Sequence, residues 1–314
     1  MQHVPFGATG LEVSRLGFGT ATYAHNGTER RAVEKLLNRV LDAGINVIDT
    51  AACYPDAEPV IGSGIAHRRD EYVIVTKRGH KVEGVSGEEF SAALVTATVE
   101  RALRQMRTDH LDVMLLHSCS RQVLERGDAL GALVEAKRAG KVRFVGYSGD
   151  NAALSAAAAM PEVEVLETSV SIADQVNIDA GIAEAAARRV AVLAKRPVAN
   201  GAWRAPADIG ALSDYASPYA GRLGKMAVDP GELGYATGER RRDRDHAWMR
   251  LAIGFVFAVA GVHTAIIGSR TWDHMSTNIN ISAEAAIAPQ VFERLRRMFT
   301  DAQRASGAVW EGLT

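Results

Sequence analysis

The 314-residue sequence predicts an α/β fold, a closed parallel (β/α)8 barrel, and three observations carry that expectation. Eight apolar runs of strand length recur along the chain, most of them continuous in hydrophobicity, as strands covered on both faces read. Segments with apolar residues at helical spacing lie between them. No G-x-G-x-x-G follows any of the runs, which leaves an open doubly wound sheet as the weaker alternative.

The elements follow in order. "HVPFGATGLEVS" reads as an N-terminal hairpin turning at Ala8-Thr9-Gly10. Strands are expected at 14–19, 45–50, 72–77, 111–117, 142–148, 163–170, 190–195 and 264–269. A helix is expected over 28–44, with Gly44 as its C-terminal cap, and another over 87–106. "IGSGIA" (61–66) follows a helical segment, so its glycines do not read as a phosphate loop. The stretch 197–245, rich in Gly, Pro and Arg, breaks the alternation. It is expected as a long loop after strand seven, either solvated or a lid over the face on which barrels carry their sites. No boundary is visible, and 1–314 reads as a single barrel domain.

Composition narrows the function classes. Hydrophobic residues make up 47% and charged residues 23%, enough apolar material for a large core. With 36 Lys+Arg against 37 Asp+Glu the formal charge is −1, which argues against nucleic acid or an acidic membrane as partner. The longest apolar stretch, 253–262, is too short to span a bilayer, and the first residues carry no secretory leader pattern. Two cysteines make no disulfide framework, so a cytoplasmic setting is expected. Oligomeric state is not readable.

Chemistry concentrates where the apolar runs end. Asp49 closes the second strand, Lys77 the third, His117 the fourth and Ser148 the fifth, while Tyr54 stands a few small residues beyond Asp49 in "NVIDTAACY". Each has an ordinary alternative: a helix cap, a solvated strand end, a rim histidine. Together they form a proton donor for a carbonyl oxygen. A phenol is a poor acid near neutrality, with a pKa of about 10, and an adjacent ammonium stabilises its phenolate. A carboxylate holds that ammonium charged, and a neutral imidazole orients the substrate oxygen. These residues neither donate hydride nor form a metal cluster, which points to a nicotinamide cofactor.

"DTAACYPDAE" resembles the D-T-A-x-x-Y-G-x-x-E signature of the aldo-keto reductases, and "VIVTKRG", "LDVMLLHS", "GKVRFVGYS" and "AIIGSRTWDHMSTNI" resemble later segments of that family in order. The resemblance covers nearly the whole chain. It implies reduction of an aldehyde or ketone with NADP(H), Tyr54 as proton donor, Lys77 and Asp49 tuning it, and His117 orienting the carbonyl. It further implies cofactor contacts from Thr20, Ala21, Asp49 and Ser148. Ser269, Arg270, His274 and Asn278 match a segment that grips the adenosine 2′-phosphate and adenine. Ser269 and Arg270 precede a predicted helix, where backbone N–H groups and a guanidinium suit a phosphate.

The chain departs from the family pattern around the nicotinamide. Gly149 stands where Asn is usual, Glu167 where Gln is common, and Lys195 where an aromatic stacks on the ring. Pairing of Glu167 with Lys195 is expected, a charge swap that keeps the site neutral. His274 replaces a frequent Arg, so NAD is the second candidate nucleotide. Tyr23, Cys53, Ser118 and Trp203 are candidates for the substrate pocket, and Cys119 for a neighbour of Cys53. Trp310 is expected in a tail packed on the surface or over the pocket. Three other readings use the same residues: a nucleotide-binding regulatory or redox-sensing subunit, an NAD-dependent sugar dehydrogenase, and an aldolase with Lys77 as Schiff-base lysine.

Overall fold

In the computed structural model, which describes residues 1–209 and 213–313, eight parallel strands close into a barrel behind an antiparallel hairpin. The hairpin pairs β1 (His3–Pro5) with β2 (Glu12–Ser14). The barrel consists of β3 (Leu16–Gly19), β4 (Val47–Asp49), β5 (Val73–Arg78), β6 (Leu111–His117), β7 (Val142–Ser148), β8 (Val165–Ser169), β9 (Ala191–Lys195) and β10 (Thr264–Gly268). Each strand pairs with the next in sequence, and β10 closes on β3. All eight barrel strands fall within the apolar runs or one residue beyond. This is the (β/α)8, or TIM, barrel.

Side chains alternate along a strand, and that period of two sorts the barrel. Val47, Val73, Val75, Val113, Leu115, Val165, Ala191, Leu193 and Ile266 pack together as one buried cluster. Their neighbours Ile48, Ile74, Met114, Leu116, Val145, Leu166, Val192 and Ile267 join the larger cluster formed with the helices. The hairpin closes the end from which the strands start: Phe6 and Val13 join the first cluster, and the Asn46 side chain, just before β4, accepts from Ser14 N at 2.7 Å.

The helix Arg30–Asp42 stops where Gly44 takes φ +83°. The second expected helix begins later than its periodicity suggests, at Ala92–Met106, because the Ser91 side chain caps Leu94 N. The stretch after β9 is not an open loop. It carries the helices Pro206–Ile209, Ser213–Met226 and Arg241–Ala258. Among the described residues, no helix is long and apolar enough to cross a membrane.

Candidate active site

Continuing each inward-facing row toward the C-terminal end of its strand replaces valine and leucine with ionisable groups. Val47 is followed on its face by Asp49, Val75 by Lys77, Leu115 by His117, Val165 by Glu167 and Leu193 by Lys195. The apolar floor and the polar upper layer are therefore one sequence pattern seen in three dimensions.

At the centre lies Lys77, 1% exposed. Its ammonium donates to Asp49 Oδ1 and, at 3.1 Å, to the Thr50 carbonyl, while Glu167 Oε2 lies 3.0 Å away on the other side. Asp49 and Glu167 are 5% and 2% exposed, so water does little to screen the three charges. Burial first, then the Glu167 charge, raises the Asp49 carboxyl well above the ordinary range despite Lys77. For Lys77, burial favours the neutral amine, but Asp49, Glu167 and Tyr54 outweigh it and hold the ammonium above the usual lysine range.

Tyr54 covers this cluster. The Lys77 ammonium is 5.9 Å from its ring centroid, and the His117 ring meets it edge-on at 6.2 Å. Burial pushes the phenol up, Lys77 pulls part of the way back, and the hydroxyl stays protonated near neutrality. His117 is drawn well below the ordinary histidine range, chiefly by burial and then by Lys77, His80 and Lys195. Its imidazole is accordingly neutral. The structure thus brings Asp49, Tyr54, Lys77 and His117 into one cluster at the barrel mouth.

Glu167 and Lys195 do not pair with each other. Lys195 reaches Asp150 at 2.9 Å, and Asp150 also accepts from Thr168 Oγ1, Ser169 N and Asn177 Nδ2 at 2.8–2.9 Å. Burial opposes ionisation of Asp150, yet Lys195 and these bonds hold its carboxyl below the usual range. The cross-strand neighbour of Lys195 is Ser169 on β8, and Glu167, two residues earlier, lies deeper in the barrel beside Lys77. Gly149 also has a reason: a Cβ there would fall 2.1 Å from the Tyr147 hydroxyl, which donates to the Cys119 carbonyl.

The other candidates separate into three groups. Cys53 is exposed, with its Sγ 3.6 Å from His117 Nδ1, and Ser118 follows half-buried at φ +55°. Tyr23 is buried against Phe18, and half-buried Trp203 stacks on Trp248 at 5.3 Å while donating to Asp245. Cys119 is buried, its thiol pushed up to about 12 by burial, and both cysteines are free. His25 and His80, not singled out from sequence, frame Tyr54 and His117 at 5.4 and 5.2 Å between rings. No periodic signal marked them, since neither lies on a barrel strand.

The residues expected to hold a nucleotide lie at strand ends and on the helix that follows β10. Thr20 is buried, Ala21 begins the helix Ala21–His25, and Ser148 is buried at the end of β7. Ser269 and Arg270 precede the 13-residue helix Trp272–Glu284, capped by Thr271. Arg270 and His274 are exposed and make no ion pair among the described residues, and Asn278 is half-buried on the same helix. A guanidinium beside a helix N-terminus fits a phosphate.

The aldo/keto reductase family model matches residues 15–299. The chain belongs to the aldo-keto reductases. Its relatives include YqkF of Bacillus subtilis, described as an uncharacterized oxidoreductase: 28% identical over 47% of this chain, which spans about half (49%) of YqkF. The protein tas of Escherichia coli is 27% identical over 89% of this chain and 92% of its own. A solved structure assigned to the aldo-keto reductases, from Pseudomonas aeruginosa, superposes with a TM-score of 0.68 at 28% identity, covering 90% of this chain and 95% of that one. The chain thus carries a closed eight-stranded barrel together with the aldo/keto reductase family model.

Proposed function

We propose that this aldo-keto reductase reduces an aldehyde or ketone to an alcohol with NADP(H), using Tyr54 as proton donor. One observation carries the reading: a protonated phenol, a buried ammonium, a carboxylate and a neutral imidazole converge at the mouth of the barrel. The Tyr54 hydroxyl gives its proton to the carbonyl oxygen. Lys77 stabilises the phenolate left behind, and Asp49 keeps Lys77 charged and in place. His117, being neutral, donates a hydrogen bond to the same oxygen without competing as an acid. A nicotinamide nucleotide, when bound, supplies the hydride. Ser269, Arg270, His274 and Asn278 hold its phosphate and adenine end, while Thr20, Ala21, Asp49 and Ser148 face the reactive end.

The test is Tyr54→Phe. We expect carbonyl-dependent oxidation of NADPH to fall by about 10²-fold or more, with NADPH binding, read by fluorescence titration, unchanged. Undiminished turnover in that variant would overturn the reading. NADH titrated in parallel assigns the nucleotide, and alcohol or sugar oxidation with NAD measures the reverse direction.

The Lys195–Asp150 pair favours a second reading, a nucleotide-binding regulatory subunit, because an ammonium stands where the family's aromatic platform does. It predicts tight nucleotide binding without turnover on any carbonyl. The charge held on Lys77 argues against an aldolase, which needs a free amine there.

A further inference from the structure

Three strands meet at the Lys77 ammonium. Asp49 arrives from β4, Lys77 from the adjacent β5, and Glu167 from β8, three strands further round the barrel from β5. The Glu167 contact therefore spans the interior, and both side chains are almost wholly buried. One ammonium lies between two buried carboxylates, and Glu167, next to Lys77, is one of the causes that hold the Asp49 carboxyl above its ordinary range. A neutral glutamine at position 167, the residue the family resemblance leads one to expect, would leave Lys77 with Asp49 as its ionic partner.

We propose that Glu167 is a positioning residue that clamps Lys77 across the barrel and sets the charge that Tyr54 experiences. The idea rests on the carbonyl-reductase reading, since it is Tyr54's proton that this charge governs. With Glu167 as well as Asp49 on it, Lys77 is fixed in position, and the carboxylates offset part of its attraction for a phenolate. Tyr54 then holds its proton until a substrate oxygen arrives to take it. The groups facing Tyr54 are Lys77 on β5, Asp49 on β4, Glu167 on β8, His117 on β6, Cys53 on its own loop and His25 on the helix Ala21–His25. Burial and the two carboxylates raise the phenol, with Lys77 the opposing influence.

The proposal is tested on the full chain without nucleotide, by ultraviolet titration of tyrosinate. Glu167→Gln keeps the size of the side chain and removes its charge. The difference spectrum between each protein and its Tyr54→Phe counterpart isolates Tyr54. In Glu167→Gln the Tyr54 midpoint is expected to fall by about one pH unit or more, and the alkaline limb of kcat/KM to move the same way. An unmoved midpoint would overturn the proposal, as would a change in nucleotide affinity alone, which would place Glu167 in the cofactor site instead. Should Glu167→Gln fail to fold, carbon–nitrogen dipolar recoupling in the labelled wild type reads the Glu167 Cδ to Lys77 Nζ separation, and a distance beyond contact refutes the clamp. The two readings fail separately. A shifted midpoint in a protein without carbonyl turnover sinks the reductase and leaves the clamp, whereas turnover that depends on Tyr54 with an unmoved midpoint does the reverse.

Discussion

At the scale of single residues, a buried polar group is informative when its surroundings oppose its charge. Asp174 accepts from the Tyr219 hydroxyl at 3.0 Å and from Leu313 N at 3.1 Å, and burial pushes its carboxyl up to about 6. The folded state therefore holds this proton more tightly than the unfolded chain, whose ordinary value is 3.8. That contribution to stability is fully present below the unfolded value and is lost as pH rises through about 6. Asp174→Asn keeps the shape and removes the ionisation. Its advantage over wild type is expected to reach up to about 3 kcal/mol near pH 8 and to vanish toward pH 4. Denaturant melts across that range check it, and two parallel stability curves would refute it. The catalytic candidates were legible at this scale because Asp49, Lys77 and His117 each close an apolar run. The partners of Glu167 and Lys195 were not: barrel register, rather than sequence proximity, sets which charges meet.

At the scale of elements, spacing decides what a glycine is for. Gly62, in the "IGSG" stretch that does not read as a phosphate loop, lies in the helix Ala57–Gly64. A Cβ there would come within 2.0 Å of the Gln105 carbonyl and 2.9 Å of Met106 Cα, on the neighbouring helix. Gly62→Ala must push two backbones apart. Overpacking typically costs about 1–3 kcal/mol, against a gain in helix propensity of about 1 kcal/mol. We expect net destabilisation, seen as a lower denaturation midpoint with an unchanged slope; a more stable variant would show that the helices part freely. The helix Ser213–Met226 shows the opposite case. Pro218, Gly221 and Gly224 lower its intrinsic propensity, so the sequence reads there as loop. The helix forms because Ala216, Tyr219, Leu223 and Met226 bury one face, and tertiary packing outweighs propensity.

On the scale of the whole molecule, the C-terminal tail joins the end of the chain to the barrel. Trp310 is 5% exposed, edge-on to Phe299 at 5.0 Å and beneath the Arg222 guanidinium. Beyond it, Gly312 exchanges hydrogen bonds with the Asn151 side chain, and the Leu313 carbonyl accepts from Ser169 Oγ and Arg196. The tail thus packs beside the ends of β7, β8 and β9. Trp310→Ala is expected to cost about 3–5 kcal/mol, read as a drop in Tm; a shift within error would mean that the tail docks without the indole.

Taken by itself, the sequence determined the barrel, its strand order and the residue types at the strand ends. A strand buried on both faces must be apolar along its length, so a break in that pattern marks where the strand ends and chemistry begins. Only the tertiary structure decided how the charges pair, that Trp203 stacks on Trp248, and that the stretch after β9 carries helices. Those outcomes depend on closing a barrel from strands far apart in the chain. Charge pairing follows distance in space, and the electrostatic cost of a wrong pair is felt only once water has been excluded.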